Sequence, residues 1–458
     1  MKQLDGIFNP GSVTVVGASS RPDNPGTLLL RALKEMGFEG PLYPVNPNHP
    51  EIQGLECFPS LLELPGPPGL VILSVPPGSV PRLVKECVET GAEGCVVNTA
   101  GFSELGSPEG TALEREILQA LDGAPMRLVG PNCMGIYSST GKLASFVGQR
   151  PGEGKVSCIS QSGSIANFLF MLGMERGVAF SKIVSSGNEL DLNCSDFLEF
   201  FSDDEDTEMI FAYLEEVRDA ARFLEAASGV RGRKPLLVWR AGLTDRGARA
   251  ASSHTGAIAG SPEVWEGAVR QAGILPVDDL SDAIDLITAF NHLPPLEGRR
   301  VCVISAPGGI AVNAADMVER SDLQLPRLAA STVERLADIL PSVGTVLANP
   351  VDMGFGAVVP GNLAAVIKAV AGDGAVDVVM VVGGAPASRK GDLGLMNMHS
   401  AEIRSAAVQT GKPLVVIGIP SGIAWPFVSE LCRAGIPSFL SPQAACRALE
   451  RVASFYEV

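Results

Sequence analysis

Basic charge is what this chain has too little of. Lys and Arg total 35 against 51 Asp and Glu, giving a formal net charge of −16. A phosphate backbone needs a cationic footprint, so no nucleic-acid partner is expected. Aromatic residues make up only 5%, with three Trp and four Tyr. No C-x-x-C pair occurs, and the nine cysteines follow no repeated spacing. They read as free or buried thiols in a reducing compartment. The N-terminus Met1-Lys-Gln-Leu-Asp-Gly lacks the apolar stretch of a signal peptide, and no apolar run is long enough to span a bilayer. A cytoplasmic protein without membrane partners is expected.

What the chain does have is length, glycine and proline. Its 458 residues, with 51 Gly and 34 Pro, suggest about three domains joined by many short turns. In the first segment, residues 1–145, β-branched runs at Ser12–Gly17, Leu42–Val45, Leu70–Val75 and Gly94–Asn98 alternate with helical stretches. That alternation predicts a parallel, doubly wound Rossmann-like sheet, with ligands at the carboxyl ends of its strands. A dinucleotide site is excluded, because the first loop is Gly17-Ala-Ser-Ser20 and not G-x-G-x-x-G. The second strand also ends in Asn46-Pro47, without an acidic residue. The amides and hydroxyls of Gly17, Ser19 and Ser20 are suited to a phosphate at the helix start. A domain without ligand remains the alternative on periodicity alone.

The second segment, residues 146–297, opens with a strand at Lys155–Ser160, a tight loop Gln161–Ser164 and an apolar helix. Ser162 and Gly163 stand where unpaired amides and the helix dipole favour an anion. A later strand ends in Glu215 and Glu216. The acidic run Ser202–Asp206 reads as a solvated loop before a helix, with a metal site as the alternative. The third segment, residues 298–458, echoes the second. Lys155–Ala166 aligns without gaps to Arg300–Ala311 at six identical positions of twelve. Gly308 and Gly309 therefore match the Ser162 and Gly163 region. Such an echo can reflect shared α/β grammar and nothing more, but two flavodoxin-like, doubly wound domains, each offering a helix start, could also clamp one phosphate from two sides.

Histidine is scarce, with four residues: His49, His254, His292 and His399. Only His254 lies in a glycine-bounded stretch of small and hydroxyl residues, Arg249–Gly260. Such a stretch contributes little core. It can bring an imidazole to another group, and a carboxylate on one ring nitrogen would fix the tautomer; Glu215 itself reads on the residues alone equally as a strand-end carboxylate facing water.

Two phrases carry a family resemblance. Val129-Gly-Pro-Asn-Cys-Met-Gly135 resembles the CoA-binding domain of NDP-forming acyl-CoA synthetases, a group within the succinyl-CoA synthetase superfamily. Ser253-His-Thr-Gly-Ala-Ile-Ala-Gly260 resembles their phosphohistidine loop, and Asn349-Pro-Val-Asp352 the N-P-V-D element of the ADP-forming branch. The resemblance covers essentially the whole chain and is nearest to α subunits of ADP-forming acetyl-CoA synthetases. It implies a CoA groove along Gly17, Ser19, Ser20, Val75, Pro76, Asn98, Asn132 and Cys133; a core thiol is the alternative for Cys133. It implies His254 as the phosphorylated residue and Glu215 as its hydrogen-bond partner. It also implies Ser162, Gly163, Gly308 and Gly309 around the phosphate, and no metal ligand in this chain. Arg240 stands where members often have Lys. The loop Ala306–Ala311 departs from N-A-G-G-P-G at Ile310 and Ala311, which leaves the acid open among acetate, branched, aryl and substituted acetates such as sulfoacetate.

No glycine-rich loop with Lys-Ser/Thr and no ATP-grasp segment is present in the sequence. The resemblance thus implies an acid–thiol ligase that uses CoA and ATP, releases ADP, and needs a separate ATP-grasp β subunit, as α2β2, to hold nucleotide and Mg2+. Two other readings are carried beside it: a CoA-dependent acyltransferase and a non-catalytic CoA-sensing module.

Overall fold

The computed structural model describes residues 2–145, 152–244, 246–247, 262–306, 308–383, 394–421 and 424–457. It divides into two compact units. One comprises residues 1–170 with 179–279, the other residues 171–178 with 280–458.

The first unit holds two large sheets. The first sheet contains β1 (Val13–Val16), β2 (Leu42–Val45), β5 (Leu70–Leu73), β6 (Gly94–Val97) and β7 (Arg127–Val129), in the order β2-β1-β5-β6-β7 and parallel throughout. A two-stranded hairpin, β3 (Glu51–Ile52) with β4 (Leu55–Glu56), sits between β2 and β5 in the chain. β1, β5 and β6 are buried at every position. That is why their sequences read as continuous apolar runs: parallel strands are covered on both faces. The helix Pro25–Met36 shows how local sequence sets its bounds. The Asn24 side chain accepts the Thr27 N–H at 3.0 Å, Pro25 fixes the first turn, and Gly37 ends the helix at φ 74°.

The second sheet runs β14-β13-β12-β10-β11-β8-β9. Its strands are β8 (Gly135–Ser138), β9 (Leu143–Ala144), β10 (Val156–Ser160), β11 (Phe180–Ser185), β12 (Met209–Leu214), β13 (Leu236–Arg240) and β14 (Leu275–Pro276). β10 through β14 are parallel, whereas β8 pairs antiparallel with β11 and β9 with β8. Residues 135–144, ahead of the boundary expected at 145, therefore complete the second sheet. The acidic run differs from expectation. Ser202 and Asp203 close the helix Cys194–Asp203, and the run leads into strand β12, not into a helix. It is also not simply solvated. The ammonium of Lys182, 1% exposed, is held by Asp204 at 2.8 Å and Asp206 at 3.2 Å. A buried cation in the β11 core needs those carboxylates.

The second unit is built on β15 (Val301–Ser305), β16 (Val351–Asp352), β17 (Val378–Gly383), β18 (Leu414–Gly418) and β19 (Ser438–Phe439), in the parallel order β16-β15-β17-β18-β19. The echo seen in the sequence holds at both boundaries. β10 starts one residue into its aligned segment and so does β15; the helices Gly163–Glu175 and Gly308–Glu319 start at the same aligned position. Asn349 of the N-P-V-D element has a structural task. Its side chain accepts the Val303 N–H at 3.0 Å and donates to Val301 O at 2.9 Å, pairing with β15 as a strand would. Among the described residues, no helix is long and apolar enough to cross a membrane.

Candidate functional site

The carboxyl edge of the first sheet gathers the residues expected to line a CoA groove. Gly17, Ser19 and Ser20 follow β1, Val75 and Pro76 follow β5, Asn98 follows β6, and Asn132 and Cys133 follow β7. A cavity of about 380 Å³ opens there, lined by Gly17, Asn46, Val75, Pro76, Ser79 and Arg82 among others. Gly17 is required by geometry. Its φ is +96°, and a Cβ would lie 2.1 Å from the Ser74 carbonyl oxygen. The Ser19 backbone N–H donates to Thr27 Oγ1 at 3.0 Å, which ties the loop to the helix behind it. Asn98 donates to Met134 O at 3.3 Å and Asn132 to Asn188 Oδ1 at 3.2 Å. Ser19, Ser20, Asn98, Asn132 and Cys133 are not among the residues lining the cavity. Cys133 is packed inward, its thiol donates to Val97 O at 3.3 Å, and burial pushes its pKa up to about 12. That is the core-thiol alternative in structural terms.

The second sheet offers a second edge. Gln161, Ser186, Glu215 and Ala241 each directly follow the last residue of β10, β11, β12 and β13. The helix Gly163–Glu175 begins here, with Ser162 just before it. Ser162 N–H reaches Ser160 Oγ at 3.2 Å, and Ser162 Oγ pairs with Ser164 Oγ at 3.0 Å. Helix starts of this kind attract anions through free amides and the dipole.

Glu215 is 8% exposed. Burial, then the Glu215 carboxylate beside it, pushes the Tyr213 phenol up to about 12. The Arg240 guanidinium donates to the carbonyls of Leu214, Glu215 and Ala241, with Ala241 O at 2.7 Å and Leu214 O at 3.2 Å. Burial draws its pKa down from the usual value, while Glu216 and Glu215 oppose that. Arg240 thus crosses the strand ends with several donors, which a lysine's single ammonium would do with less reach. His254 lies outside the described residues, as does the rest of 248–261; the chain enters that segment from the carboxyl edge of β13.

Two groups at this edge were not legible as site residues. Gln161 Oε1 accepts the N–H groups of Glu215 at 2.5 Å and Glu216 at 2.9 Å, and its Nε2 donates to Glu216 O at 2.8 Å. Glu189 is 3% exposed, and burial raises its carboxyl to about 7. In sequence, Gln161 is only the first residue of the tight loop Gln161–Ser164, with no sign of what its side chain holds, and Glu189 only part of a Gly-Asn-Glu turn.

The two edges meet within the first unit. Gly163 faces Met134 so closely that a Cβ would fall 2.4 Å from Met134 Cγ. The Met134 N–H donates to Ser185 Oγ at 3.0 Å, and Gly187, at φ +60°, leaves only 2.2 Å between a would-be Cβ and Pro131 O. In the second unit, Gly308 packs against Asp352, where a Cβ would lie 2.5 Å from Oδ2, and Gly309 faces open space.

Residues 11–139 match a CoA binding domain, and residues 153–290 match a succinyl-CoA ligase like flavodoxin domain. The chain is 37% identical over 351 residues to the α subunit of Pyrococcus furiosus ADP-forming acetate–CoA ligase II, covering 76% of each. It is 37% identical over 352 residues to ADP-forming acetate–CoA ligase of Methanocaldococcus jannaschii, covering 77% of this chain and 49% of that one. The chain therefore spans about half the length of such single-chain relatives. The fold matches that of a Candidatus Korarchaeum cryptofilum acetyl-coenzyme A synthetase in complex with phosphate and ADP, at 31% identity and a TM-score of 0.88, over 100% of this chain and 97% of that one. By sequence and by fold, the chain belongs to the ADP-forming acyl-CoA synthetase family.

Proposed function

We propose that this chain is the α subunit of an ADP-forming acyl-CoA synthetase that joins a small carboxylic acid to CoA. ATP phosphorylates the His254 imidazole at a separate ATP-grasp β subunit, which holds the nucleotide and Mg2+, and ADP leaves. The acid's carboxylate oxygen then takes the phosphoryl group; the P–N bond breaks, a P–O bond forms, and an acyl phosphate results. The CoA thiolate attacks the acyl carbon and inorganic phosphate departs. The acyl phosphate is needed because a thiolate does not displace oxide from a free carboxylate, and a covalent histidine lets the phosphoryl group be handed on.

This chain's own residues have defined tasks in that scheme. Glu215 accepts a hydrogen bond from one imidazole nitrogen and leaves the other as the nucleophile. Ser162 and Gly163 meet the transferred phosphoryl group with helix-start amides; Gly308 and Gly309 open the corresponding helix of the second unit. CoA lies along Gly17, Ser19, Ser20, Val75, Pro76, Asn98 and Asn132, with Cys133 behind that wall. The α2β2 assembly and the cytoplasm complete the proposal; all nine cysteines are buried and free, as a reducing compartment allows.

The observation that carries this reading is the contact between Met134 and Gly163. It sets the phrase expected to bind CoA against the loop expected to bind phosphate. The test is 32P transfer from ATP in the presence of the partner chain. Wild type takes up acid-labile label, which acid and CoA together discharge. A His254→Ala protein that still takes up that label overturns the proposal. A panel of acids, read as CoA thioester formed with ADP released, identifies the substrate. Thioester exchange without ADP would mark an acyltransferase, and CoA binding without turnover a sensing module.

A further inference from the structure

Asn188, in the loop that follows β11, spends every polar group it has. Its backbone N–H donates to Pro131 O at 2.9 Å, and its carbonyl accepts from Arg218 Nη2 at 2.8 Å. Its side-chain Nδ2 donates to Glu104 Oε2 at 2.7 Å and to Glu114 Oε1 at 3.1 Å, and its Oδ1 accepts from Asn132 Nδ2 at 3.2 Å. The two carboxylates are held in turn. Glu104 Oε1 accepts the Gly101 N–H at 2.6 Å, and Glu114 Oε1 accepts the Ser103 hydroxyl at 2.7 Å. Burial works to raise the Glu104 carboxyl, but the hydrogen bonds from Gly101, Asn188 and Phe102 outweigh it and hold the group below its ordinary value.

Those carboxylates decide which way two amides face. An ionised carboxylate only accepts, so the pair fixes the Asn188 NH2 group on its side. The Asn188 oxygen then faces Asn132, which can answer only with its own NH2 group. Asn132 is left with Oδ1 as its free end, and no donor among the described residues reaches that atom. Asn98 is set likewise. Its Nδ2 donates to Met134 O at 3.3 Å, and its Oδ1 is buried with no partner among the described residues. Two acceptor oxygens that lack donors thus follow β6 and β7, at the carboxyl edge of the first sheet.

We propose that Asn98 and Asn132 form an acceptor pair for the two amide N–H groups of the pantetheine arm of CoA, and that Asn188 is the residue that positions Asn132. This rests on the CoA reading given above. The phosphates of CoA bring only oxygens and negative charge, which these acceptors would repel, whereas the arm brings the missing donors. The strand order β2-β1-β5-β6-β7 puts the cavity of about 380 Å³, with Arg82 in its lining, at the β1, β2 and β5 end of the same edge. That end is left for the nucleotide. The arm then runs towards Met134, which packs against Gly163 at the loop expected to hold phosphate.

The test uses the complete enzyme, this chain with its partner, and two probes: CoA, and adenosine 3′,5′-bisphosphate, which is the nucleotide end without the arm. The KM for CoA and the competitive inhibition constant of the bisphosphate are measured. Wild type is compared with Asn132→Gly, Asn98→Ala, Asn188→Ala and the double variant Asn132→Gly/Asn188→Ala. Asn132 sits at φ 56°, which glycine adopts without strain, so Asn132→Gly deletes the amide and spares the fold. Each single variant is expected to weaken CoA by about threefold to tenfold, with inhibition by the bisphosphate as in wild type. In the double variant Asn188→Ala is expected to add nothing, because Asn188 acts through Asn132. Equal losses for both probes, a loss for the bisphosphate alone, or wild-type values for CoA in Asn132→Gly and Asn98→Ala overturn the acceptor pair. A further loss in the double variant overturns the positioning role and marks Asn188 as merely structural. A wild type that does not use CoA removes the CoA reading and this proposal with it. A wild type that uses CoA, with every variant like it, removes this proposal alone.

Discussion

Gln161 Oε1 lies 2.5 Å from the backbone nitrogen of Glu215, so a side chain from the end of β10 fixes the end of β12. Replacing Gln161 by Ala leaves the N–H groups of Glu215 and Glu216 without that acceptor. The expected cost is about 1–3 kcal/mol of stability. A fall in kcat of about tenfold or more is expected, with CoA affinity retained. Chemical denaturation and steady-state kinetics read the two separately. Wild-type kcat in Gln161→Ala would remove Gln161 from the site.

Gly17→Ala tests the CoA cavity. The new Cβ would meet backbone at Ser74, which has no side-chain freedom to yield, and φ +96° is strained for alanine. CoA binding measured by calorimetry is expected to fall by at least about tenfold. Gly309→Ala, facing open space in the second unit, serves as the contrast and should leave CoA binding unchanged.

Glu189 should leave a mark on stability. Its folded pKa, about 7, stands above the ordinary carboxylate value. The neutral form is thus favoured by folding. Its contribution is fully present below the unfolded pKa and is lost as pH rises to about 7. Above that, Glu189→Gln should be the more stable protein by roughly 1–3 kcal/mol, and the gap should close towards about pH 4.5. Denaturant midpoints at about pH 5 and pH 8 decide it.

Lys182→Ala removes the cation that Asp204 faces in the β11 core. Breaking a buried pair from one side leaves a charge uncompensated, and a loss of roughly 3–5 kcal/mol is expected. Because Lys182 is 1% exposed, moderate salt should not reduce that loss. An urea titration at two ionic strengths measures both.

Much of this fold was legible because parallel strands buried on both faces announce themselves, as Leu70–Leu73 and Val301–Ser305 do. The aligned glycines at 163 and 308 likewise marked two helix starts. What stayed hidden depends on partners distant in sequence. Asp204 looks like solvent-facing acid until Lys182, 22 residues away, is placed against it. Gln161 and Glu189 acquire meaning only from strand ends that the sheet order brings together. The acidic run differs from its expectation for a related reason: the helix before it, Cys194–Asp203, ends in the same charges that usually begin one.

The antiparallel pair β8 and β9 has a practical corollary for anyone dissecting the molecule. These strands leave the phrase around Pro131 and finish a sheet whose other members lie further along the chain. A fragment ending at residue 145 would carry a ribbon torn from its neighbour, and one starting at 146 would leave the β11 edge bare and prone to stick to other strands. Excision into independent modules should therefore fail at that point, whereas residues 1–279 without 171–178 mark the body that must be kept whole.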